Sequence, residues 1–464
     1  MSFQAEAQGP AARDDRAFFG HPKGLVFILG ADMGWAFGYF GMQVMLTLYM
    51  TQQLLKPGHV EHVLGFAAYR GLLERINGPM TPLGLASQTF GIATCLIYAL
   101  PILGGLIADR WIGQRRAIMA GVLILTFAHV MLVGERTFLI ALALMVVGTG
   151  LVKANLVSQI GRLYAPTDDR RTRGFGLYLI ALNIGSLTTP LIAGTLGERL
   201  GWAYGFAALA VGVGLGAAFY ISGIRHTPPD TPRTAGPRAA RRQLSAGEGG
   251  VLAVIGLFIV VDGLFLGVYD QAFNIFPVWA DTHVQRHVLG FLAPVTWFST
   301  LDGVFTILGT ALAVRIWTWQ GQRGGDATDI RRITLGFVLA TAAFLVLAAS
   351  SALAKGAISP LWPEVLFFLL IDFSIPWVDT VVMTTVSRDS PAGLTSTMLG
   401  VYYLAGAGGN FLTGWLGGFA DRMSMPAFWL IHAAIFGAIV ALMLVGGRRL
   451  SRLLAARRPT VETP

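Results

Sequence analysis

Gly104-Gly-Leu-Ile-Ala-Asp109-Arg-Trp-Ile-Gly113-Gln-Arg-Arg116 lies between two apolar stretches, 84–107 and 116–134. About 20 mostly apolar residues suffice to cross a bilayer core, so the two stretches read as membrane helices joined by a short basic turn. Gly104 and Gly105 let neighbouring helices approach closely. Asp109 can pair with an arginine or cap a helix N-terminus. Outward from this turn the pattern repeats, with spans expected at 27–54, 84–107, 116–134, 138–161, 175–196, 203–224, 250–280, 291–318, 333–354, 363–386, 396–418 and 427–446.

Composition agrees. Of 464 residues, 54% are hydrophobic and 13% charged, against about 25% charged in soluble domains. With the N-terminus inside, 25 of the 34 Lys and Arg fall on the cytoplasmic face and 8 on the other, with Lys153 inside a span. The net charge of +9 is therefore a signature of topology and not a nucleic-acid footprint. A polar stretch, Arg225–Gly250, carries Pro228, Pro229, Pro232 and Pro237 and divides the spans six and six. The expected organisation is an amino-terminal bundle over 1–224, a cytoplasmic linker over 225–249, and a carboxyl-terminal bundle with its tail over 250–464. Cys95 is the one cysteine, so no intramolecular disulfide is possible. The polar N-terminus lacks a signal peptide's apolar core, so the first span is expected to be retained.

Charges inside spans locate function. Lys153 sits in the apolar run Gly148–Asn155, where insertion costs roughly 2.5–3.5 kcal/mol. Asp32, Asp262, Asp270, Asp302, Asp372 and Asp379 also lie in expected spans. Each requires a partner or a water-filled cavity, and buried acids of this kind can carry protons. Tyr269-Asp270 matches half of an intramembrane aspartyl protease signature, but the partner Gly-x-Gly-Asp is absent and twelve spans are too many. Neither His-Glu-x-x-His nor Gly-x-Ser-x-Gly occurs, so metalloprotease and esterase chemistry lack residues and no enzyme is expected.

The layout resembles the major facilitator superfamily: an all-α membrane protein of 12 transmembrane helices in two six-helix bundles, with substrate near the midplane between them. The opening segment resembles that superfamily's gating motif, here Gly105, Asp109, Arg110, Gly113 and Arg115, with Asp109 expected to latch the halves on the cytoplasmic side. Further segments resemble the proton-dependent oligopeptide transporter family. These are Phe19–Gly24, Tyr39–Gln43, Gly148–Asn155, Phe175–Leu187, Tyr269–Gln271, Pro294–Phe298 and Met398–Asn410, in order along most of the chain. The departures are specific. The family's helix 1 motif Glu-x-x-Glu-Arg reads Asp32, Trp35 and Ala36 at its three fixed positions, and a second helix 1 arginine is Gln43. Asp302 replaces a helix 8 asparagine, Ile375 a helix 10 glutamate flanked by Asp372 and Asp379, and Tyr402 a helix 11 tryptophan. Leu179 holds the place of a helix 5 tyrosine, with Tyr178 preceding it.

The resemblance implies a substrate site of Tyr39, Gln43, Tyr98, Lys153, Asn155, Asn183, Trp297, Asp302, Asp379 and Tyr402. It implies proton coupling through Asp32, Lys153 and Asp270, with Asp32 as the expected partner of Lys153. The implied function is symport of di- and tripeptides or peptide-like small molecules with protons into the cell by alternating access. A transport-inactive or non-peptide-specific sensor or transporter on the same fold is the alternative. No metal or cofactor is expected, since the proton gradient supplies the energy. The expected partners are peptides, protons and the bilayer, without nucleic acid, in a functional monomer. The expected location is the bacterial inner membrane, with both termini cytoplasmic.

Overall fold

The computed structural model describes residues 16–165, 167–230, 246–288, 290–323, 328–391 and 394–455. The amino-terminal half comprises α1 (Gly24–Tyr49), α2 (Phe66–Asn77), α3 (Pro82–Ile107), α4 (Gln114–Leu132), α5 (Phe138–Arg162), α6 (Arg170–Thr189), α7 (Thr195–Leu200) and α8 (Trp202–Ser222). The carboxyl-terminal half comprises α9 (Ala246–Tyr269), α10 (Ile275–His283), α11 (Phe298–Gln322), α12 (Asp329–Ala354), α13 (Trp362–Asp389), α14 (Thr395–Gly417) and α15 (Met425–Ala455). A small antiparallel hairpin, β1 (His287–Val288) with β2 (Phe291–Leu292), precedes α11.

Among the described residues, eleven helical units are long and apolar enough to cross a membrane. The twelfth expected span, 396–418, is α14. It carries Tyr402, Tyr403, Gly406, Gly408, Gly409, Asn410 and Thr413. It packs between α3 and α9, so its small and polar residues serve helix contacts more than lipid solvation. Other boundaries shift for local reasons. The carboxyl-terminal half begins at Ala246, ahead of the expected 250. The hairpin occupies the expected start of the eighth span, so α11 begins only at Phe298. The linker residues 231–245 lie outside the described residues. The short α2, unforeseen in the sequence, occupies the outer loop and buries Phe66 and Leu73.

Within the amino-terminal half, α4 and α3 pack on α5, and α1 packs on α6 and α8. Within the other half, α12 packs on α13 and α15, α9 on α14, and α11 on α13. Lipid tails are as apolar as leucine, so these contacts depend on close approach of small residues and on interhelical hydrogen bonds. At Gly104, a Cβ would lie 1.9 Å from the Gly150 carbonyl oxygen. Backbone contact between α3 and α5 thus fixes the helix that carries Lys153.

Inner and outer faces are named here by the orientation that the arginines imply. The halves meet along α3 with α14 and α6 with α11. Toward the outer face, Thr47 donates to Asn274 at 2.9 Å, Asn274 to Ser87 at 2.7 Å, and Ser87 to the Gly414 carbonyl at 2.9 Å. Glu198 accepts from the backbone N–H groups of Val295 and Thr296 at 2.7 and 2.8 Å, capping the start of the eighth span across the interface. Arg286 pairs with Glu198 at 3.7 Å and Asp281 at 2.6 Å. A cavity of about 560 Å³ opens above this layer, lined by Gln52, Lys56, Arg199 and Arg286 among others.

At the inner face, His21 meets the Tyr164 hydroxyl at 2.8 Å. Burial, reinforced by Arg170 and Arg173, holds His21 below the usual histidine range. Burial also pushes the Tyr164 hydroxyl up to about 12.

Candidate functional site

The site begins at Lys153. Its ammonium lies 3.3 Å from Asp32 Oδ1, the partner expected from the sequence. Asp32 is fully buried, while the lysine side chain remains 24% exposed. The cation is therefore the member of the pair that a ligand can reach. Trp35, one turn beyond Asp32 on α1, places its ring 3.9 Å below the ammonium, and the Tyr178 ring lies 5.1 Å away. Tyr178 also lies near Asp32. The Trp35 indole donates to Thr149 at 3.2 Å and stacks on Tyr39, which fixes its plane.

Trp35, Tyr178 and Thr149 were not among the expected site residues, although Trp35 was visible as a replaced glutamate. The contact that reveals its role joins α1 to α5 and exists only after folding. An ammonium over an indole is stabilised by about 0.5–2 kcal/mol, depending on solvation. Trp35→Leu is expected to raise the half-saturating substrate concentration by roughly 2- to 30-fold, with Trp35→Phe recovering part of the loss. The concentration dependence of uptake measures both.

Across the midplane, Tyr39, Tyr98 and Asp270 lie close together. Asp270 follows the last residue of α9, where the helix tightens into a 3-10 turn, Asp270–Ala272, before α10 resumes. Helix breaks at membrane depth are tolerated where they are buried in protein or line a cavity. In the carboxyl-terminal half, the Tyr402 hydroxyl donates to Asp379, and the buried Asp262 lies beside Asp379. Asp302 and Asp379 are half-buried. Tyr403 lies near both Tyr178 and Asp379, so polar groups continue from one half to the other. Gln43 is buried and its Oε1 has no hydrogen-bond partner.

Several expected residues are placed differently. Asn155 donates to the Leu151 carbonyl at 2.8 Å and the Gly104 carbonyl at 3.4 Å; it satisfies backbone between α5 and α3. The Asn183 amide donates to the Leu179 carbonyl of its own helix at 2.7 Å. Trp297 donates to Thr195 at 2.8 Å, in the outer contact between halves and away from Lys153. The tight glycine of the gating segment is Gly104, since a Cβ at Gly105 would only touch Ala154 at 3.7 Å. Asp109 accepts from Gln114 at 3.3 Å, and the exposed Arg110 lies in a π-helical turn, Ala108–Ile112. The Arg115 N–H donates to Asp230 at 2.7 Å, its guanidinium to Thr227 at 3.2 Å. Asp230 also fills the space that a Cβ at Gly113 would need. These gating-segment contacts lie within the amino-terminal half and the start of its linker.

The arrangement offers one accessible cation on the amino-terminal half and several carboxyls on the other. Such a pair of surfaces can orient a small zwitterion, with its carboxylate on Lys153 and its ammonium on an aspartate. Among the described residues, no group of three or more His, Cys, Asp or Glu is arranged to hold a metal ion.

Comparison with known proteins places the chain. A profile described as the POT family matches residues 116–245 and 238–431. The peptide transporter YePEPT of Yersinia enterocolitica is 26% identical, covering 94% of this chain and 96% of that protein. A di-/tripeptide transporter of Lactococcus lactis subsp. cremoris is 24% identical over 93% and 96%. The crystal structure of a mutant peptide transporter POT in complex with alafosfalin matches with a TM-score of 0.83 at 24% identity, covering 96% of this chain and 98% of that one. A POT family transporter in complex with 5-aminolevulinic acid matches at 0.79 and 19% identity, covering 94% and 98%. At these identities the solved structures speak to the fold, which is that of two six-helix bundles. The profile spans well over half of the sequence, and the chain belongs to the POT family.

Proposed function

We infer that this protein carries small peptides or peptide-like zwitterions across the bacterial inner membrane together with protons, by alternating access between its two halves. The observation that carries this reading is the Lys153–Asp32 pair, with its lysine exposed and its aspartate sealed. A substrate carboxylate approaching Lys153 competes with Asp32 for the ammonium, and a charge left on Asp32 in a sealed site has to be compensated. Binding of substrate and of a proton are thereby linked. Asp270, at the break between α9 and α10, is the corresponding acid of the other half. The excess of Lys and Arg in the loops on their side supports cytoplasmic termini, and the monomer is the working unit. The proton gradient supplies the energy without a cofactor.

Reconstituted into liposomes, the protein is expected to accumulate labelled dipeptide under an imposed pH gradient, acid outside. Peptide binding without any uptake would instead assign the fold to a sensor. Lys153 is the main cation of the site and the other half is acidic, so neutral and basic dipeptides are expected to compete better than Asp/Glu-rich ones. Tight binding of acidic dipeptides with no binding of neutral or basic ones would overturn that preference.

A further inference from the structure

The carboxyl-terminal half holds an acid pair for which the Lys153–Asp32 chemistry has no use. Tyr269 ends α9 immediately before its break. Its hydroxyl is in hydrogen-bond contact with Asp302 Oδ1 on α11 and lies 3.1 Å from Asp372 Oδ1 on α13. The two carboxyl groups thus meet at one hydroxyl.

The contacts constrain the number of protons. A tyrosine hydroxyl carries one proton and donates once, and an ionised carboxylate only accepts. Tyr269 therefore donates to one acid, and the other can hydrogen-bond the same hydroxyl only by carrying a proton of its own and donating it. A separate observation points the same way. Asp372 is fully buried, and its Oδ2 has no donor, a costly state for a carboxylate oxygen removed from water. A proton shared by the pair removes that cost.

No cation stands in for it. Among the described residues, no lysine or arginine interacts with either carboxyl. The titratable groups facing the pair are Tyr269, in direct contact, and Asp270, adjacent to Asp302, both from the α9 break. Among the described residues, no side chain of the other helices packed on α11 and α13 forms a hydrogen bond or ion pair with either carboxyl. Pro376, one turn after Asp372, has no N–H for the Asp372 carbonyl, so α13 lacks one backbone hydrogen bond beside the acid. Asp302 is half-buried and Asp372 sealed, so the pair runs from an accessible oxygen to a buried one.

We propose that Asp302, Tyr269 and Asp372 form a proton-holding site of the carboxyl-terminal half, filled and emptied through Asp302. One proton passes from water onto the carboxyl pair, is shared across it, and returns to water on the other side of the membrane. No other bond forms or breaks. The emptied pair carries an extra negative charge, which a substrate ammonium at Asp302 offsets. This deepens the proton-coupled reading above and rests on it.

The test uses the full chain in liposomes with Ala-Ala as substrate and two readouts. In Asp372→Asn, which mimics the protonated acid in shape, exchange of labelled for unlabelled peptide without a gradient is expected to continue. Under a pH gradient the accumulation ratio is expected to fall to about one, the value for uncoupled equilibration. Infrared difference spectra of the purified protein at neutral pD should show loss of one protonated-carboxyl stretch in Asp372→Asn, and a changed one in Asp302→Asn. Wild-type accumulation by Asp372→Asn, or an unchanged protonated-carboxyl signal in both variants, would overturn the site. If wild type exchanges peptide yet ignores the pH gradient, the coupled reading fails, and the infrared result alone then upholds or overturns the proton site.

Discussion

Lys153→Met is expected to abolish peptide accumulation and to destabilise the protein, while the double variant Asp32→Asn/Lys153→Met regains stability without regaining transport. The single change leaves Asp32 fully buried, with Oδ2 lacking a donor and the ion-pair partner of Oδ1 removed. Breaking a buried pair by removing one member costs about 3–5 kcal/mol, whereas replacing both members is often near neutral. Thermal unfolding in detergent should separate the two variants, and uptake should not. A Lys153→Met protein that accumulates dipeptide like wild type would remove Lys153 from the substrate site. Equal stability of single and double variants would show that Asp32 does not depend on this lysine.

Gly91→Leu should act at the outer closure. A Cβ at Gly91 would lie 2.6 Å from Gly414 Cα and 2.7 Å from its nitrogen, so α3 and α14 cannot approach to their present distance with any side chain there. The conflict arises only while the outer ends are together. Overpacking of about 1–3 kcal/mol would fall on that state alone, a shift of roughly 5- to 150-fold toward outward opening. Uptake should drop toward background. A cysteine at Thr47, which is buried in the closed state, should become reactive from outside in a Cys95→Ala background. Gly71→Ala serves as the control, since nothing lies within 4 Å of its Cβ position. Unchanged labelling and unchanged uptake in Gly91→Leu would mean that the α3–α14 contact does not close the outer face.

Much of the fold was legible because the bilayer imposes a one-dimensional rule. Each crossing needs a long apolar helix, and arginines mark the inner loops. That rule located all twelve helices, including α14, whose glycines and tyrosines make it the least lipid-like. It could not reveal α2 or the β1–β2 hairpin, which lie outside the core where no such constraint acts. For the site, the sequence identified Lys153 by its cost in an apolar run and offered Asp32 as its partner, and the ion pair is present.

The roles of neutral residues were less accessible. Asn155 and Trp297 hold positions that the resemblance assigns to substrate, yet their side chains are engaged by a helix backbone and by Thr195. Trp35, in contrast, reads in the sequence as a lost acid and in the fold as the floor beneath the ammonium. The meeting of Asp302 with Asp372 through Tyr269 joins positions up to 103 residues apart, beyond the reach of any local pattern. By itself, the sequence determined the number of membrane-crossing helices and which charges had to be compensated, because burial in lipid penalises each unpaired charge wherever it lies along the chain. Which groups compensate them was decided only by tertiary structure, because hydrogen bonds and ring contacts depend on ångström distances between helices that the chain brings together only on folding.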